Sequence, residues 1–164
     1  MKLLIKTIVA TAIFMGLQLP THTKAATPIA SKACAIQNSV YKAIGNPDFT
    51  LIFSLHDPQK TPANTDAQVT LKHSKRGKIQ TFQMTTANGY GSSSLSDPQD
   101  TTGVNLNIVF FDRNLKRDGT FRNQRAPEYT FVAGLGSYDY YSMGEDNRKF
   151  LLGDVMWRFD RCGQ

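Results

Sequence analysis

Between residues 31 and 45 the apolar side chains recur at helical spacing. Ala33, Ile36, Val40 and Ile44 are three, four and four apart, with Cys34 and Tyr41 on an adjoining line. With Ser31 as a cap and Gly45 as a stop, this spacing predicts an amphipathic helix. Asn46 and Pro47 break it, and the period then shifts to two. Phe49, Leu51, Phe53 and Leu55 alternate with Thr50, Ile52, Ser54 and His56, as a half-buried strand requires. A surface loop follows over Asp57–Asp66. Ala67–His73 and Lys78–Met84 then flank the four-residue connection Ser-Lys-Arg-Gly. Setting His73 opposite Lys78 places Val69 opposite Phe82 and Ala67 opposite Met84, so apolar residues meet across the pair and a hairpin is expected.

Residues 86–102 are rich in Gly, Ser, Asn, Asp and Thr, which describes a long loop or a weak edge strand inside one. Val104, Leu106, Ile108 and Phe110 alternate as a second clean strand, and Glu128–Leu135 and Tyr138–Met143 are further β-rich runs. Phe150–Phe159 carries large apolar residues on both faces, which predicts a strand at the centre of the fold. About seven short strands after one helix describe a mainly β (α+β) fold. The expected architecture is a single antiparallel β-barrel or sandwich with one N-terminal helix packed on it, over residues 26–164.

The first 25 residues stand apart. Two lysines precede the apolar run Thr7–Leu19, which ends at Pro20 and a polar tail, the order of a secretory signal peptide cleaved after Ala25. The run is too short for a permanent membrane anchor. Cys34 lies too far beyond it for lipidation. A secreted or periplasmic location is therefore expected, and with it a disulfide between the remaining cysteines, Cys34 and Cys162, tying the two ends of the domain.

Export also revises the charge. The formal net charge is +6, but losing Lys2, Lys6 and Lys24 leaves +3, too small a surplus to imply a nucleic-acid partner. Only His56 and His73 remain, on separate strands, and no His-Cys or His-Glu cluster has metal-ligand spacing, so no metal or other cofactor is expected. Neither Gly91-Ser92-Ser93-Ser94 nor Gly136-Ser137 forms a Gly-x-Ser-x-Gly elbow, and no glycine-rich phosphate loop opens a helix. A carboxylate-dependent hydrolase would have to draw on Glu128, Glu145 or Asp154. Catalytic residues are not identified.

Two segments carry recognition chemistry instead. Asp112–Arg125 holds five cations, among them Lys116, Arg117, Arg122 and Arg125, suited to gripping carboxylates in an acidic protein cleft. Gly134–Gly144 combines glycine, serine and tyrosine in the manner of binding loops, where tyrosine gives contact area at low entropic cost. Simple alternation there puts Tyr138 and Tyr140 on the outer face and Tyr141 and Met143 in the core. Tyr90 repeats the chemistry on another loop. The expected binding set is thus Tyr90, Lys116, Arg117, Arg122, Arg125, Tyr138 and Tyr140. The leading expectation is an exported, non-catalytic binding module, such as an inhibitor or immunity-type protein engaging an envelope or secreted enzyme. A surface structural subunit or adhesin and a small hydrolase are the alternatives.

Overall fold

The computed structural model describes residues 34–87, 92–100, 103–119, 125–142 and 144–163. The leader, Tyr90, Arg122 and Met143 lie outside the described residues. Among the described residues, eight antiparallel strands form one closed barrel in chain order: β1 (Ser39–Ala43), β2 (Asn46–Ser54), β3 (Ala67–His73), β4 (Gly77–Thr86), β5 (Ser93–Ser96), β6 (Asn105–Phe111), β7 (Tyr129–Val132) and β8 (Met156–Cys162). Closure is made by β1 pairing with β8. The α-helix among the described residues, α1 (Leu135–Ser142), lies in the β7–β8 connection.

Alternation placed most strands. Phe49, Leu51 and Phe53 of β2, Val69 and Leu71 of β3, Phe82 and Met84 of β4, and Leu106, Ile108 and Phe110 of β6 point into the barrel and are at most 6% exposed. Burying each is worth about 1.5–3 kcal/mol. Trp157 of β8 and Tyr41 of β1 complete the filling. The Tyr41 ring meets Phe53 and Phe159 edge-on, and its hydroxyl donates to the Pro127 carbonyl at 2.8 Å. That bond satisfies a polar atom burial would otherwise strand.

The hairpin of β3 and β4 has the expected register at its open end, with Ala67 opposite Met84 and Val69 opposite Phe82. A bulge between Leu71 and Lys72 then sets His73 opposite Gly77 rather than Lys78. Inside the segment read as a loop, β5 pairs with both β4 and β6, so it is not an edge strand. Leu55 lies past the end of β2 and is 76% exposed.

Residues 31–45 were expected to form a helix, yet Ile36–Asn38 is a 3-10 turn and Ser39–Ala43 is β1. The three-and-four spacing of Ile36, Val40 and Ile44 is overridden because a strand there finds ladder partners on both sides, β2 and β8, and buries Ser39, Val40, Tyr41 and Ala43 together. Conversely Tyr138–Met143, expected as a strand, lies largely within α1. The last strand starts later than expected and ends later: Phe150–Val155 precede β8, which runs on to Cys162.

Strand direction sorts the connections into two poles. The β2–β3, β4–β5 and β6–β7 connections meet at one end, together with the Cys34–Cys162 disulfide, which joins the chain just before β1 to the last residue of β8. The β1–β2, β3–β4 and β5–β6 connections meet at the other, with α1. These are the disulfide pole and the helix pole.

Candidate functional site

At the helix pole, α1 is short and held by tertiary contacts. Gly134, at φ +78°, turns the chain out of β7 in a conformation that favours glycine. Gly136 presses on the other limb of the connection: a β-carbon there would lie 2.3 Å from the Gly153 carbonyl carbon. Leu135 joins the barrel core. Asp139, with no solvent exposure, takes a bidentate grip from Arg76 in the β3–β4 turn, Nη2 to Oδ1 at 2.9 Å and Nη1 to Oδ2 at 3.0 Å. Arg76 Nη1 also donates to the Phe150 carbonyl at 3.3 Å, so one guanidinium joins the turn, the helix and the chain leading to β8.

His73 braces the same turn. Its ring lies between Phe49 and Phe150, with centroids 4.5 and 4.9 Å away, and its Nδ1 accepts from the backbone N–H groups of Lys75 and Arg76 at 3.2 Å each. Burial holds its pKa below the ordinary histidine value. An accepting Nδ1 belongs to the neutral ring. The Lys75 and Lys149 ammonium groups approach the Phe150 ring, 5.7 and 5.2 Å from its centroid.

On the other side of α1, Tyr138 packs edge-on against Phe82 and donates its hydroxyl to Asp97 Oδ2 at 2.5 Å. Burial first, then this bond, raises its pKa well above the ordinary tyrosine value, so it remains a donor. Tyr140 and Tyr141 point outward, 41% and 84% exposed. Their rings meet edge-to-face at 5.3 Å, and the Arg148 guanidinium stands 5.7 Å from the Tyr140 centroid. Beside them runs a groove of about 580 Å³ between α1 and the β5–β6 connection, lined by Asp97, Asp100, Val104, Leu106, Tyr138 and Tyr141 among others.

The sequence-derived set is therefore divided between the poles. Tyr138 and Tyr140 are at the helix pole, whereas Lys116, Arg117 and Arg125 belong to the β6–β7 connection at the disulfide pole. One site cannot use both groups. The cationic segment also starts as a tightly bonded turn: Asp112 Oδ1 accepts from the N–H groups of Asn114 and Lys116 at 2.8 and 2.9 Å, and Arg117 bridges back to Phe111. Arg113 and Arg125 line a hollow of about 140 Å³ with Asp112, Asp118 and Glu128, which dilutes the cationic field.

Tyr138 and Tyr141 exchange the roles alternation gave them, since α1 turns Tyr138 inward and Tyr141 out. Tyr141, Arg148 and Asp97 are the residues missed. The carboxylates considered for hydrolysis do not converge either. Glu128 accepts from Arg158 at 3.3 Å near the disulfide pole, while Glu145 and Asp154 are exposed in the β7–β8 connection. Among the described residues no three potential ligands cluster to hold a metal, and no helix is long and apolar enough to cross a membrane. Comparison of the chain with protein-family models, curated proteins and solved structures found no match in any of the three.

Proposed function

We propose that the protein is an exported, non-catalytic binding module that engages another protein through the helix pole, with Tyr140 and Tyr141 as its principal contact side chains. The observation that carries this reading is the mounting of those rings. They stand exposed on a helix whose inner face is fixed by the Arg76–Asp139 pair and the Gly136–Gly153 contact. Large aromatic side chains on a rigid support lose little entropy on docking, which is why tyrosine dominates binding hot spots. The leader-like first 25 residues and the Cys34–Cys162 bond support export. The role this fits is that of an inhibitor or immunity-type protein acting on an envelope or secreted enzyme.

The test is capture from envelope and secreted fractions with the oxidised mature protein as bait, wild type beside Tyr140→Ala/Tyr141→Ala. A partner retained by wild type and weakened about tenfold or more by the double variant is expected, the scale of losing one hot spot. A partner that binds both baits equally would move the contact face elsewhere.

A further inference from the structure

The groove beside α1 has a chemistry distinct from the rest of the pole. Its apolar lining comes from Val104 and Leu106, with Tyr138 and Tyr141 on the helix side, and its charged lining is Asp97 and Asp100. Among the described residues no cationic side chain lines it. Asp97 already accepts the Tyr138 hydroxyl on Oδ2 and the Gln99 N–H on Oδ1, at 2.5 and 2.8 Å. These bonds fix the carboxylate in place, and each oxygen keeps a second lone pair for another donor. At about 580 Å³ the groove falls within the ~300–1,000 Å³ range of binding pockets.

An apolar trough with a fixed carboxylate, a second carboxylate and an exposed aromatic ring matches one common side chain best. The arginine stem lies along apolar surface, its planar guanidinium forks onto a carboxylate, and the same plane stacks on an aromatic face. We infer that this groove is a subsite for an arginine side chain of the partner protein, held by Asp97 and Asp100 and covered by Tyr141. A lysine would satisfy the charge but lacks the fork and the stacking plane. The inference rests on the helix pole being the contact face and names what that face receives.

The test needs no knowledge of the partner. Oxidised, isotope-labelled mature protein is titrated with Nα-acetyl-arginine amide, and amide chemical shifts are followed. The norleucine and glutamate amides serve as controls. Saturable shifts are expected around Leu106, Gly134 and Ser137 with the arginine probe, with binding about tenfold weaker for norleucine and none for glutamate. Asp97→Asn/Asp100→Asn, which keeps an acceptor for Tyr138, should weaken the arginine probe by a similar factor. If that double variant does not melt cooperatively, Asp100→Asn alone or 0.5 M salt should weaken binding in the same direction. Arginine shifts that are absent, located elsewhere, matched by norleucine or unaffected by loss of the carboxylates would overturn the inference. If the probe fails while capture still depends on Tyr140 and Tyr141, the subsite falls and the contact face stands. If the probe binds but capture ignores the tyrosines, the reverse holds.

Discussion

Asp139 is an ionisable side chain with no exposure, on a helix of only eight residues, and Arg76 is its ion-pair partner. Removing one member of such a pair leaves the other charge buried and uncompensated. Asp139→Ala is therefore expected to cost about 3–5 kcal/mol in urea denaturation. Replacing both Arg76 and Asp139 should cost less than the sum of the single losses, a non-additivity that a double-mutant cycle reads directly. His73 gives the pole a pH dependence of known sign. Around it stand Asp48 and Asp139, which favour its protonation, and Lys75 and Arg76, which oppose it, while burial dominates and lowers its pKa. The unfolded chain thus takes up the proton more readily. The His73 contribution is complete above the ordinary value of 6.5 and is lost as pH falls from there through the lower folded value. Stability measured from pH 7.5 down to 5 should decline, and His73→Gln should flatten that part of the decline.

The helix α1 shows what the chain's pattern could reveal and what it could not. Strands β2, β3, β4 and β6 were legible because each buries alternate residues against one core, and that period survives in the sequence. In α1 the inward face includes Leu135, Tyr138 and Asp139, at spacings of three and four that would signal a helix were they all apolar. Asp139 is charged, and it can be buried only because Arg76, 63 residues away, neutralises it. No local reading contains that partner. The same blindness exchanged Tyr138 and Tyr141 in the site. At the N-terminal end the opposite holds, since β1 is a strand on account of ladder partners in β2 and, 114 to 123 residues distant, in β8. The element's own weak point is Gly136. Gly136→Ala would drive a methyl into the Gly153–Asp154 backbone, which has no flexible side chain to yield, and a loss of about 1–3 kcal/mol is expected. Gly144→Ala, with open space at its β-carbon and an ordinary φ of −70°, should change stability by less than about 0.5 kcal/mol. Paired thermal melts of the two variants check the contrast.

For the molecule as a whole, closure decides which interactions are open to it. Every strand of the barrel has two neighbours, so no free ladder edge exists among the described strands to receive a donor strand, and this counts against polymerisation by strand exchange. The Cys34–Cys162 bond closes a loop with a sequence separation of 128, for which chain entropy assigns about 4–5 kcal/mol. Reduction, or Cys34→Ser/Cys162→Ser, should therefore lower the denaturation midpoint markedly. The proposed contact is made by Tyr140 and Tyr141 on α1, and the cationic β6–β7 connection lies at the opposite end of the barrel. Site-specific photocrosslinking separates them most directly, with p-benzoylphenylalanine placed at Tyr141 in one variant and at Arg117 in another, expressed and irradiated in the native envelope. A discrete protein adduct from position 141 and none from position 117 is the predicted result; an adduct from 117 with none from 141 would contradict it.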